Sequence, residues 1–383
     1  MTTIAAAETL LTSLVSIESV TPWLIPDGAG EAAIVAWIAR WLADLPIDVR
    51  IEEVEPGRPN LLATLRGAGG GRSLCVNAHA DTVGYASWRD RALTADRQGD
   101  RLVGLGAADD KAGVAVGLLA LRELAAGPRL RGDVELACVA DEEGATIGTA
   151  HYVAHHRPDA CLVIEPDDVG RVFVEHQGFG WVDVIVHGRA SHGSAPEAGI
   201  DAIVHMAEVI RGLHRRDVEV FGAGPVPFNG RTVFHTGTIR GGTDYATYPS
   251  SAVLGIEIGT QPGETLADRV REIEATFAEV GLAFPGFRGE VRVQLDRPPF
   301  VATGHEPLLE AADAAAVAVL GRPLRREGMN AWADSGLVQA AGIPTLLVGP
   351  MGGNFHAPDE WVSLPEVVQS VEITRRTAEA FCR

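Results

Sequence analysis

Short, almost wholly apolar runs recur along the chain, and each is followed closely by an acidic residue or a histidine. Residues 73–78 (Ser-Leu-Cys-Val-Asn-Ala) lead into His79 and Asp81. Residues 133–140 lead into Asp141, Glu142 and Glu143, residues 160–164 into Glu165, and residues 344–348 are soon followed by His356. Continuous apolar strands are buried on both faces, which predicts a central sheet covered by helices on each side, an α/β fold. Strands at 59–66 and 73–78 are separated by the Gly-rich turn 67–71. Helices are expected at 4–17, 31–44 and 112–126, the second from the helical spacing of Ile34, Trp37, Ile38, Trp41 and Leu42.

The pattern changes near residue 179. Residues 179–187 alternate as a half-exposed strand does, a helix is expected at about 200–215, strands at 232–240 and 251–258, a helix at 264–281 and a strand at 290–296. This β-α-β-β-α-β order reads as an α+β unit with helices on one face of an antiparallel sheet. After Pro298-Pro299 the earlier style returns, with a helix at 305–320, a strand at 344–348 and a helix at 364–381. The 383 residues exceed what one core usually holds. The expected organisation is therefore a first domain built from residues 1–178 and 299–383, interrupted by an inserted domain at 179–298.

Charge and composition narrow the function classes. The 51 acidic against 32 basic residues give a formal net charge of −19, which repels phosphate backbones and argues against nucleic-acid binding. No apolar stretch is long enough for a membrane span, and the first 20 residues carry Glu8 and Glu18 without a basic residue, so no signal peptide is readable. Cys75, Cys138, Cys161 and Cys382 are far apart and form no CxxC pair. Buried thiols in a reducing cytoplasm are the expectation. Lys111 is the only lysine.

The chemistry is carried by where acidic and imidazole groups fall. In an open α/β sheet, ligands bind beyond the carboxyl ends of the strands. His79, Asp81, Asp141, Glu142, Glu143, Glu165 and His356 follow strand ends, and Asp109 and Asp110 lie in a Gly-rich turn before a helix. Two histidines and several carboxylates suit zinc or a similar divalent ion without sulfur. They are too many for one tetrahedral site and suit a pair of ions sharing a carboxylate, with a further Glu as proton carrier.

The set His79-Ala-Asp81-Thr-Val-Gly, Gly104-Leu-Gly-Ala-Ala-Asp109-Asp-Lys111, Asp141-Glu142-Glu143-Gly, Glu165-Pro and His356 resembles the two-zinc family that contains acetylornithine deacetylase, succinyl-diaminopimelate desuccinylase, aminoacylase and carboxypeptidase G. The resemblance covers essentially the whole chain. It implies a zinc-peptidase-like mixed sheet flanked by helices, with a ferredoxin-like lid and dimerisation domain inserted. It implies that His79, Asp109, Glu143, Glu165 and His356 bind metal, with Asp109 bridging; that Asp81 holds the His79 ring; and that Glu142 is general base and then general acid. Gly188-Arg-Ala-Ser-His192-Gly-Ser-Ala-Pro resembles the lid motif whose histidine stabilises the oxyanion, often across a homodimer.

The implied activity is hydrolysis of a small N-acyl amino acid or related amide by a metal-bridged water. The ions are two divalent metals, zinc first, cobalt or manganese also fitting. A dipeptidase or carboxypeptidase of the same family uses the same site. The other two-zinc aminopeptidase family shares the ligand order but lacks such an insertion. A silent binding scaffold is disfavoured because the ligands and Glu142 are all present. Two departures from the family flank the Asp109 turn, Leu105 where Arg is frequent and Ala112 where Gly often follows the lysine, and neither is a ligand; the others lie in the inserted domain. Ala246 stands where many members have Asn, and Gly259 where many have an Arg that grips the substrate carboxylate. The departure at Gly259 points to another Arg, such as Arg189 or Arg240, or to an atypical C–N bond. Asp334 either caps the following helix or faces the pocket, and the Gly-rich 349–353 lets backbone approach a substrate.

Overall fold

The computed structural model describes residues 1–85, 88–224 and 227–383. They divide into two compact units, one formed by Met1–Val174, Ala302–Glu327 and Ala333–Arg383, the other by Glu175–Val301 and Gly328–Trp332. The short return segment 328–332 goes with the second unit because Trp332 is held there. Its Nε1 donates to the Pro298 carbonyl at 3.1 Å, and its ring meets Phe179 edge-on at 5.7 Å.

In the first unit, the strands Val134–Val139, Leu74–His79, Ala160–Ile164 and Thr345–Val348 lie side by side and mutually parallel. The hairpin Asp48–Glu55 and Arg58–Leu65 extends this sheet antiparallel on one side, and Arg171–His176 pairs antiparallel on the other. A mixed sheet results. Every residue of Leu74–His79 is buried, as expected of a strand with neighbours on both edges and helices on both faces. The helix Lys111–Ala125 is buried over most of its surface. It packs so closely that a Cβ on Gly117 would lie 2.4 Å from Leu136 Cδ1. Leu118 and Leu119 are fully buried in this core. The parallel direction of the four central strands brings the residues after Val139, Ile164 and Val348, together with His79, to one edge of the sheet.

A second, four-stranded sheet was not legible in the sequence. It joins Gly352–Gly353, Trp361–Ser363, Arg101–Val103 and Asp96–Gln98, strands of two or three residues that are too short to leave a periodic pattern. Its consequence is functional. It seats the segment around His356 beside the turn that ends in Asp109, through the pairs Trp361↔Val103 and Val362↔Leu102.

The second unit is a four-stranded antiparallel sheet with the spatial order Phe234–Gly241, Ser251–Thr260, Gly178–His187, Arg288–Arg297. Counted along the chain this is 2-3-1-4, the ferredoxin-like arrangement. Alternation decides the faces: Val182, Val184 and Val186 point inward against Met206, Val209 and Leu213 of the helix Ala202–Arg216 and Ile273 of the helix Leu266–Ala283. Asp201 caps the first helix by accepting from Ile203 and Val204, and Thr265 with Asp268 forms a capping box on the second. Among the described residues, no helix is long and apolar enough to cross a membrane.

Candidate metal centre

His79 closes the strand Leu74–His79, and its fully buried ring is fixed from both sides. Nδ1 lies 3.1 Å from the Asp81 carbonyl and 3.4 Å from Asp81 Oδ1, while Nε2 lies 2.9 Å from Asp109 Oδ1. The other oxygen of the same carboxylate, Asp109 Oδ2, is 3.3 Å from His356 Nε2, which in turn is 3.1 Å from Glu143 Oε2. Asp109 therefore faces one histidine with each oxygen. Glu142 Oε2 and Glu165 Oε1 complete the surroundings of His79 Nε2 at 3.9 and 4.0 Å. Ligand atoms of His79, Asp109 and Glu143 all fall within 4.8 Å of one another, as do those of His79, Glu142 and Glu165.

The neighbouring aspartate does something else. Asp110 turns inward and accepts from Gly113 N at 3.0 Å, capping the helix Lys111–Ala125. The peptide between the two aspartates is cis. Asp81 also has more to do than hold an imidazole. Its two oxygens accept from the backbone N–H of Glu142 at 3.0 Å and of Glu143 at 3.1 Å. One buried carboxylate thereby ties the His79 ring to the turn that presents both glutamates.

Electrostatics follows from this crowding. Burial, then the charges of Asp334, Glu143 and Asp109, raise Glu142 well above the usual carboxylate range, with His79 opposing. Glu165 is raised in the same way, by burial and by Glu142, Asp110 and Asp109, and burial with Asp109 pushes Glu143 up to about 7. Asp109 goes the other way: against burial, hydrogen bonds from His356 and His79 hold it down. Hydrogen bonds to Asp109 and Glu143 push His356 up to about 11. For His79, burial lowers the pKa, but the bonds to Asp109 and Asp81 carry it well above its ordinary value. Anionic oxygens packed this closely call for positive charge between them.

The donor set fits divalent ions. Nitrogen and carboxylate oxygen are the ligands zinc takes in the absence of thiolate, and Glu143 Oε1 is buried with no hydrogen-bond partner among the described residues, an oxygen free to ligate. His79, Asp109 and Glu165 could hold one ion, and Asp109, Glu143 and His356 the other.

Two supports carry no sequence signal, and a third, Asp334, is legible there only as a helix cap or a pocket residue. Arg58 Nε and Nη2 donate to Glu31 Oε2 and Oε1 at 2.6 and 2.7 Å, and Nη2 donates to Asp141 Oδ1 at 2.8 Å. Thr21 donates to the same Asp141 oxygen. This buried network holds Asp141 at φ 66° directly before Glu142. Second, Glu360 accepts from three backbone N–H groups of the Asp109 turn. Third, Asp334 stands at the N-cap position, yet its carboxylate makes no cap bond and accepts from Thr149 Oγ1 at 2.6 Å. The glycines at 349–353 serve packing within this unit. A Cβ on Gly349 would lie 1.9 Å from the Glu165 carbonyl oxygen, and one on Gly352 2.5 Å from Ala108 Cβ.

His192 belongs to the second unit. It is exposed, bridges to Thr247, and its Nδ1 is 2.8 Å from Ser194 Oγ. In the same unit Gly259 lies against Gln177, since a Cβ there would lie 2.9 Å from Gln177 Oε1. Gln177 is itself pinned by donating to the carbonyls of Asn229 and Arg231 at 3.2 and 3.0 Å.

The chain is 28% identical over 384 residues to the acetylornithine deacetylase of Proteus mirabilis, covering 97% of this chain and 96% of that one. Its fold is similar to that of a tripeptidase from Staphylococcus aureus, with a TM-score of 0.81 at 20% identity and full coverage of both chains. It is also similar to a dinuclear metal-binding peptidase of the M20 family from Bacillus subtilis, with a TM-score of 0.74 at 17% identity, covering 99% of this chain and 98% of that one. Residues 75–380 match the family model described as peptidase family M20/M25/M40, and the chain belongs to that family of metal-dependent hydrolases.

Proposed function

We propose that this enzyme hydrolyses the amide bond of a small N-acyl amino acid or a related amide, using two divalent ions, zinc before cobalt or manganese. The observation that carries the reading is Asp109, whose two oxygens face His79 and His356 separately. Ions bound there would supply Lewis acidity toward the amide carbonyl and would acidify water. Glu142 is the proton carrier. It takes the proton of the attacking water and later delivers it to the leaving amine nitrogen. Asp81 keeps it in place through the backbone N–H of Glu142 and Glu143. His192 would donate to the tetrahedral oxyanion, from the partner subunit of a homodimer. Such a donor is worth about 2.7–4 kcal/mol.

The second unit supports the dimer through its edge. Phe234–Gly241 is an outer strand of its sheet and carries Ile239 at 59% exposure. Pairing two such edges across a twofold axis would extend the sheet and cover them. The four cysteines are free and buried, in keeping with a cytoplasmic setting.

A second reading concerns the substrate. Gly259 offers no guanidinium to clamp a substrate carboxylate, and Gln177 lies beside it, which favours a dipeptide or an atypical C–N bond as the alternative. Amine release is measured from N-acyl amino acids and from the same amides with the carboxylate neutralised. Strong preference for the free carboxylate supports an ordinary deacylase using another Arg. Indifference supports the atypical amide, and inactivity of the metal-loaded enzyme on both, and on dipeptides, refutes the amidohydrolase reading.

A further inference from the structure

We infer that Glu360 is a positioning residue that sets the second metal site, the one formed by Asp109, Glu143 and His356, by locking the turn that ends in Asp109 to the segment that carries His356. The inference rests on the two-metal reading. His79 needs no such help, since it ends a central strand and is wholly buried. His356 is different. It lies outside regular structure with a φ of 58° and is half exposed, and its contacts to the site are made through Asp109 and Glu143.

The connection between the two segments is Glu360, four residues after His356. The residue is 2% exposed. Oε1 accepts from the backbone N–H of Ala108 and of Asp109, and Oε2 from that of Gly106, each at 2.9 Å; its own carbonyl accepts from Gly104 N at 2.9 Å. The turn is shaped for this. Gly106 has a φ of 69°, and a Cβ there would lie 2.6 Å from Thr82 Cγ2, so the turn that aims the N–H groups of residues 106, 108 and 109 at one carboxylate needs glycine at that point. The carboxylate also bonds the N–H of the very residue whose two oxygens face the two histidines. Beyond Glu360 the pairs Trp361↔Val103 and Val362↔Leu102 continue the attachment. On the other side, Asn354 Nδ2 donates to the Asp359 carbonyl at 3.1 Å, which closes the His356 turn on itself. A displacement at Glu360 would therefore move the whole His356 turn relative to Asp109.

Glutamine at this position presents one acceptor and one donor where the turn offers three donors, so one N–H is opposed. Glu360→Asp keeps the charge but shortens the reach by one methylene. Supports of this kind change metal affinity or activity by about 10–100-fold. The test is calorimetric titration of chelator-stripped protein with Zn²⁺ alone, wild type against Glu360→Gln and Glu360→Asp, each first shown to be folded by circular dichroism. The expected result is a first binding step within about threefold of wild type and a second weakened by about 10–100-fold in Glu360→Gln, less in Glu360→Asp. Turnover should be restored by excess Zn²⁺ with KM unchanged. Co²⁺ substitution should alter the absorption bands of the second ion bound and not the first. Unchanged second-step affinity in both variants, or equal weakening of both steps, overturns the inference. Fewer than two ions bound to wild type would instead overturn the two-metal reading.

Discussion

Replacing Arg58 with methionine tests the buried network behind the catalytic turn. Arg58 is the cation shared by Glu31 and Asp141, whose side chains are fully buried. Removing it strands two carboxylates that together accept three of its hydrogen bonds, at 2.6, 2.7 and 2.8 Å. Breaking a buried pair by deleting one partner costs about 3–5 kcal/mol. The pH dependence follows in sign. Burial already raises Glu31 against the pull of Arg58, and without the guanidinium its folded pKa rises further above its unfolded value of about 4.3. A carboxylate raised by folding costs stability above its unfolded pKa, and that cost disappears as pH falls below it. Urea unfolding of wild type and Arg58→Met should therefore differ by about 3–5 kcal/mol at pH 7.5, and by clearly less at pH 4. The double variant Arg58→Met/Glu31→Gln should recover part of the loss, because one stranded charge is gone. A difference below about 0.5 kcal/mol, the range of ordinary surface substitutions, or a gap that does not narrow in acid, would refute the reasoning.

Glu142→Gln should retain both ions by metal analysis and lose about 10²–10⁴-fold in kcat, the usual contribution of a placed acid or base; full turnover would remove Glu142 from its role. Chelation should abolish activity, and the chelated protein should lose stability relative to the loaded one as pH rises from about 4.3 toward 7. Glu143, pushed up to about 7, is a raised carboxylate whose cost grows across that window; thermal melts with and without chelator at pH 5 and 7.5 check this, and a gap that shrinks with rising pH contradicts it. Gly117→Ala should destabilise despite better helix propensity, by about 1–3 kcal/mol, since its Cβ would sit 2.4 Å from Leu136 Cδ1; a neutral or positive change in denaturant midpoint counts against the packing. His192→Ala should lower kcat while leaving Zn²⁺ binding unchanged, and unaltered turnover would end its proposed role.

What the sequence discloses is what is local. The runs that end at His79, Val139, Ile164 and Val348 are apolar because they are central strands, and the residues beyond them are legible because parallel strands deliver their ends to one edge. The order of elements in residues 178–297 is enough for an α+β unit with both helices on one face of an antiparallel sheet, while the strand order belongs to the folded chain. What is not legible is what distant segments do for one another. Asp109 and Asp110 are adjacent and chemically identical, and only the turn geometry makes one a helix cap and leaves the other between two histidines. Arg58 precedes Asp141 by 83 residues, and Glu360 follows Gly106 by 254; neither carries a local signal. Asp81 shows itself through its spacing from His79, but its hold on Glu142 and Glu143 belongs to the folded chain. Gly259 is visible as a departure, and its neighbour Gln177 emerges only from the packing.

The central claim is that Asp109 lies between two ions. A crystal of the Zn²⁺-loaded enzyme, with anomalous scattering measured above and below the zinc edge, tests it most directly. Two peaks should flank Asp109, one within ligand distance of His79 and Glu165, the other within ligand distance of His356 and Glu143. A single peak, or two peaks that do not share Asp109, would contradict the account.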